Sequence, residues 1–147
     1  QIIVSGPVSE LDKAIELFKN NNIKKIIKLN VSGAFHSPLM EEANLSLKKV
    51  INSVNFGDTE VPIYQNVSPI KTFKGKEIKN NLSNQLTGSV LWYQTILNME
   101  NDGINHIIEI GPKKVLSKLI QKITSNIKVE SIDSLEDLIN YGFKIIK

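Results

Sequence analysis

Cysteine is missing altogether from the 147 residues. Disulfides, thiolate nucleophiles and cysteine-based zinc sites are therefore excluded. Arginine is missing too, so all 18 of the basic side chains other than histidine are lysines. A chain without arginine has no guanidinium fork, the usual bidentate clamp for a carboxylate. Histidine occurs only twice, at positions 36 and 106, and tryptophan once, at 92. No apolar run approaches the roughly 20 residues of a membrane span. No leader of the basic-then-apolar kind is expected. A Gly-x-Ser-x-Gly elbow, which would expose a serine nucleophile at a strand–helix turn, is absent. So are a glycine-rich phosphate loop and any metal-ligand spacing; no metal is expected.

What remains is ordinary for a globular domain, with 41% hydrophobic and 22% charged residues. The net charge of +3 permits an acidic partner without demanding one. Neither nucleic acid nor membrane is called for. A cytoplasmic protein, or a stromal one in a plastid-bearing cell, is the expectation. Gln1 runs straight into "IIVSG" with no initiator methionine, which raises the expectation of missing upstream sequence.

The hydrophobic pattern alternates between strand and helix periods, which gives an α/β class. "IIV" at 2–4 and "IKKIIKLNVS" at 23–32 read as strands. A helix lies between them, with Ser9 as N-cap and Leu11, Ile15 and Phe18 on one face; "NNN" at 20–22 stops it. Such a β-α-β unit predicts parallel strands. Ser37 is placed to cap the next helix, with Pro38 in its first turn and Leu39, Ala43, Leu47 and Val50 as the apolar stripe. "VPIYQNVS" reads as a strand. A polar helix follows from about Lys76 to Leu86. Another, capped at Thr87 or Ser89, runs to Gly103. "NHIIEIG" is a strand. "KKVLSKLIQKI" is an amphipathic helix with Val115, Leu116, Leu119, Ile120 and Ile123 inward. "IKVESI" is a last strand and "SLEDLINYG" a last helix.

His36 lies in "VSGAFHSPLM", at the hinge between an extended segment and a helix start. Nearby Gly33 allows an unusual backbone angle. A neutral histidine near pH 7 suits a general base, but a base needs a nucleophile to serve. Ser37 is required as a cap. The residues alone leave His36 as either a base or a packing histidine. His106, between apolar neighbours on a strand, reads as structural, as does Glu109 beside it.

"VSGAFHSPLM" resembles the catalytic-histidine segment of the malonyl-CoA:acyl-carrier-protein transacylases and of the related polyketide-synthase acyltransferase domains. The resemblance continues, in order, through "VPIYQNVSP", "LSNQLTGSVLWYQTI" and "HIIEIGPKKVLSKLIQKI", and reaches back to "QIIVSG". It implies an α/β-hydrolase-like acyltransferase domain with an inserted ferredoxin-like subdomain. Residues 1–33 would be the second half of that insert, and residues 34–147 the C-terminal part of the large domain. It implies transfer of malonyl from CoA to the phosphopantetheine thiol of acyl carrier protein, for fatty acid synthesis, through a malonyl-serine intermediate. His36 would be the base. The main-chain carbonyl of Gln85 would orient it, and Phe35 and Asn66 would contact substrate. Lys114, Lys118 and Lys122 repeat every four residues; such a stripe is either a solvated face or a surface for the acidic carrier or a CoA phosphate.

The resemblance implies no cofactor, malonyl-CoA being a substrate, and a monomer at full length. The family's serine, its carboxylate-holding arginine and its oxyanion-hole glutamine fall upstream of the matched stretch, so about half an enzyme is expected, inactive by itself. Two alternatives stand beside it, a polyketide-synthase acyltransferase domain and a non-catalytic fragment that binds an acyl carrier. The family's Gly-Pro-Gly reads Gly111-Pro112-Lys113 here, which predicts that residue 113 avoids a positive φ; Ser89 replaces a common proline.

Overall fold

Helices and short strands both occur along the chain in the computed structural model, which describes residues 1–145. The α/β class expected from the hydrophobic pattern is observed. The chain divides into two compact units: Gln1–Ser68 with Thr72–Leu91, and Pro69–Lys71 with the chain from Trp92 onward.

In the first unit, helix α1 (Val8–Asn20) starts one residue before Ser9. Pro7 holds the cap position with no side-chain bond, and Ser9 lies inside the first turn, so the cap expected at Ser9 is displaced. The asparagine run ends the helix as anticipated. Asn22 takes φ +63°, its N–H reaches Lys19 O at 3.0 Å, and Ile23 N–H reaches Phe18 O at 3.0 Å. That double closure uses carbonyls that a helix end leaves unpaired.

The strands expected at 2–4 and 23–32 do not form. Their apolar side chains stay in solvent, with Ile2 92% and Ile27 68% exposed. β-branched composition makes a strand only where a neighbouring backbone takes up its N–H and C=O groups. No described segment pairs with either stretch, so the expected β-α-β unit is reduced to its helix.

Ser37 caps a 3-10 turn (Pro38–Met40) that leads into α2 (Glu41–Ser53). The face of α2 that is covered carries Asn44 and Ile51, not the apolar stripe; Leu39, Leu47 and Val50 are exposed. Coverage follows the neighbour the chain supplies, which is α3 (Gly75–Asn84). The fully buried Asn44 amide, in the orientation its neighbours require, donates to Ser83 O and accepts from Lys48 Nζ.

"VPIYQNVS" is not one strand but the start of a hairpin. β1 (Ile63–Gln65) and β2 (Ser68–Thr72) pair antiparallel across the two-residue turn Asn66–Val67. A two-residue connection of this kind is the shortest that reverses a chain.

In the second unit, α4 (Trp92–Asn101) begins later than the Thr87 or Ser89 cap had suggested and stops before Gly103, whose φ is +87°. β3 (His106–Ile110) and β4 (Lys128–Ile132) pair in parallel, from His106↔Lys128 to Ile110↔Ile132. Parallel strands need a crossover, and α5 (Val115–Ile123) provides it. Helix α6 (Leu135–Ile145) follows. The core is Ile96, Ile120 and Ile127, with Trp92, Met99, Ile107, Ile123 and Val129 packed around. Val115 and Leu116, expected inward, are 53% and 42% exposed. Lys113 takes φ +70°, so the expectation that residue 113 avoids a positive φ is overturned. Its N–H reaches Asp133 Oδ2 at 3.2 Å, a bond that helps hold the strained turn.

Candidate histidine site

His36 sits between the end of one helix and the start of another, in the first unit. The left-handed backbone angle falls on His36 itself, at φ +62°, rather than on Gly33. That region costs a non-glycine residue about 1–2 kcal/mol. Something must hold the residue there, and the end of α3 does so.

Helix α3 finishes at Asn84, so the carbonyls just beyond lack intrahelical donors. His36 supplies two of the missing partners. Its backbone N–H donates to Leu86 O at 3.0 Å, and its ring Nδ1 lies 2.9 Å from Gln85 O. A third carbonyl, Gly88 O, stands 3.2 Å from the same nitrogen. Carbonyl oxygens only accept, so Nδ1 must carry the proton. In neutral imidazole the lone pair is then on Nε2. A half-buried ring fixed in this tautomer can take a proton from an incoming group at Nε2.

Ser37 is buried and fully used. Its hydroxyl donates to Ala34 O at 2.6 Å and accepts from Leu39 N–H at 3.3 Å. Phe35 is 43% exposed, so it is not a core residue of this chain. Asn66 is half-buried in the hairpin turn, where its backbone carbonyl accepts from Leu91 N–H at 2.8 Å. The structure thus brings His36 and Gln85 into contact. Leu86 and Gly88 were missed by sequence reasoning, because carbonyl roles leave no mark on side-chain identity. The glycine in "LTGSV" was the one available signal.

In the second unit, Lys114 stands at the N-cap position of α5, and Lys118 and Lys122 follow on the helix; all three are exposed. Lys114 and Lys118 line a groove of about 410 Å³ with Ser117, Gln121 and residues Val129–Ser131 of β4. With a lysine at its cap, α5 has no local side-chain acceptor for its first N–H groups. Glu109 takes that place from β3. Its carboxylate accepts from Leu116 N–H at 2.9 Å and from Ser117 N–H and Oγ–H at 2.8 and 2.5 Å. The Ser117 hydroxyl first, then these amides, hold its pKa below the ordinary glutamate value. His106 is on the exposed side of the sheet rather than among apolar neighbours, with Nε2 2.6 Å from Glu130 Oε2. Among the described residues no helix is long and apolar enough to cross a membrane.

No protein-family model matches the chain. Whole relatives do. A malonyl CoA-acyl carrier protein transacylase of Staphylococcus aureus is 38% identical over 138 residues, 94% of this chain and 45% of the relative. The solved transacylase of Streptococcus pneumoniae superposes with a TM-score of 0.87 at 32% identity, covering 95% of this chain and 45% of that one. A malonyl-transacylase solved in complex with a type II polyketide acyl-carrier protein superposes at 0.84, with 27% identity, over 92% of this chain and 44% of the other. The chain therefore spans about half the length of the relatives it matches, and the matched part is their C-terminal half.

Proposed function

The chain belongs to the malonyl-CoA:acyl carrier protein transacylase family as a C-terminal half, and from that premise we propose that His36 is the general base of malonyl transfer. The observation that carries this reading is the pair of carbonyls on Nδ1, which leaves Nε2 as the only basic nitrogen of the ring.

In the proposed reaction, a serine supplied by the rest of a full-length transacylase attacks the thioester carbonyl of malonyl-CoA. His36 Nε2 takes the hydroxyl proton as the bond forms, then returns it to the departing CoA sulfur. A malonyl-serine ester remains. The phosphopantetheine thiol of an acyl carrier protein attacks next, giving its proton to Nε2, which passes it to the serine oxygen. The Gln85 carbonyl orients the ring and supports the imidazolium that forms each time, as a carboxylate does in a triad. Phe35 and Asn66 are proposed to border the acyl group. Residues 1–33 are assigned to the ferredoxin-like insert and residues 34–147 to the hydrolase-like domain. The exposed lysines 114, 118 and 122 form the proposed docking face for the acidic carrier. A cytoplasmic or stromal location goes with this reading.

The test supplies the missing half. A chimera in which this chain replaces the matching segment of the S. aureus relative should transfer malonyl from CoA to acyl carrier protein. His36→Ala should slow it about 10²–10⁴-fold, the usual worth of a positioned base. Unchanged transfer in the folded variant would overturn the assignment. Because one structural relative is held by a polyketide carrier, the chimera is to be assayed with fatty-acid and polyketide carriers side by side.

A further inference from the structure

We propose that Gly88 is a positioning residue through which the Asn66–Val67 hairpin turn locks the His36 ring, an inference that rests on His36 being the base. All three of the hydrogen bonds that hold His36 end on one short segment, at Gln85, Leu86 and Gly88. The first two carbonyls are where the end of α3 leaves them. The third depends on the path of the chain after the helix. Gly88 N–H still follows the helical course, donating to Asn84 O at 2.9 Å. Its carbonyl then turns to Nδ1.

Gly88 is a glycine for want of space. Its φ lies outside the left-handed region that glycine alone tolerates well. A Cβ there would stand 2.8 Å from Val67 Cγ1 and 2.9 Å from Asn84 O, closer than real Cβ atoms approach. Val67 belongs to the β1–β2 turn. Three residues past Gly88, Leu91 N–H bonds Asn66 O, the other turn residue, at 2.8 Å. The turn therefore grips the segment twice, by packing at 88 and by a hydrogen bond at 91. On the other side, the buried Asn44 of α2 donates to Ser83 O, just ahead of Gln85. The carbonyls that face His36 are braced from both ends. Asn66 then matters through its backbone, whatever its amide does toward substrate.

A methyl group at 88 forces the segment away from Val67 by a few tenths of an ångström. Gly88 O, already at 3.2 Å, then leaves bonding range of Nδ1. Nδ1 then keeps the Gln85 carbonyl alone, and the Nε2–H tautomer, useless as a base, gains population.

The experiment has two arms. In the chimera labelled with ¹⁵N-histidine, with His36→Gln to assign its resonances, His36 at a pH where it is neutral should show a protonated Nδ1 and a bare Nε2. Gly88→Ala should show a mixture of tautomers. In the chimera, Gly88→Ala should lower kcat about ten- to a hundredfold, the scale of a small misplacement, with KM little changed. Adding Val67→Ala removes Cγ1 and should restore most of both readouts. A wild-type ring protonated at Nε2 would overturn the proposal. So would a folded Gly88→Ala with wild-type tautomer and kcat. If Gly88→Ala does not fold, the double variant decides. Recovery of the fold supports the contact with the turn, and loss of fold in both overturns it, since the obstacle would then be Asn84. His36→Ala with unchanged transfer would remove the base reading while leaving the tautomer measurement to judge the clamp.

Discussion

Phe35 and His36 are chain neighbours held in opposite ways. His36 spends its N–H and Nδ1 on the end of α3, while Phe35 keeps 43% of its surface in solvent. Its ring lies within 3.6–3.7 Å of where a Cβ on Gly33 would be, an ordinary contact and not a buried one. A large side chain beside the proposed base can crowd a methyl branch on the α-carbon of an acyl group. In the chimera, Phe35→Ser should raise methylmalonyl transfer relative to malonyl by roughly tenfold, within the 1–3 kcal/mol that a pocket methyl commands. The measurement is the ratio of kcat/KM for the two acyl-CoAs. A constant ratio in a folded, active variant would remove Phe35 from the acyl pocket.

Helix α5 shows what an element can borrow. Its own first turn offers lysines, and its cap comes from Glu109 on the neighbouring strand. The carboxylate binds in its ionised form, so its folded pKa is below the unfolded one. The stabilisation is complete above the unfolded value, near 4.3, and fades as pH falls through the lower folded value. Thermal unfolding followed from pH 7 to pH 3 should therefore show a falling Tm below about pH 4.5, the ordinary glutamate range. Glu109→Gln should lower Tm at pH 7 and flatten that acid slope. An equally steep slope in the variant would mean that other carboxylates carry it.

The cap is only half legible in the sequence: Glu109 reads as structural, but no local rule links it to residues 116 and 117. Periodicity gave α3, α5, β3 and β4 at nearly their observed positions, because each covers part of its surface within this chain, and it gave α1 although none of that helix's residues is buried. It failed at 2–4 and 23–32, where a β-branched pattern requires a partner that no described segment provides. It failed at α2 too, since four apolar residues at helical spacing say which face can be buried, not which neighbour exists. At the site, the His36–Gln85 contact was legible only through family resemblance. The backbone clamp around it was not, since carbonyl acceptors are common to every residue.

At the scale of the whole chain, surface is the dominant fact. The chain keeps an accessible area of 11,005 Å². Much of what is uncovered is apolar, including Ile2, Ile3, Ile27, Val31, Val50, Ile110 and Leu135, each more than half exposed. Surfaces of that kind associate. Purified residues 1–147 should elute from gel filtration as soluble aggregates rather than as a 16.5-kDa species, and should show no malonyl transfer alone. A monodisperse monomer by light scattering would contradict the first expectation, and measurable transfer the second.

The parallel pairing of β3 with β4 has a kinetic side. Every rung joins residues 22 positions apart, from 106 with 128 to 110 with 132, and α5 fills the interval. Closing a loop of that length costs little more entropy than closing one half as long. An interval this short closes more readily than one that must bring distant segments together. The strand amides between β3 and β4, backed by Ile96, Ile120 and Ile127, are then the ones that exchange last with heavy water, while those of residues 2–4 and 24–30, which form no element, exchange at once.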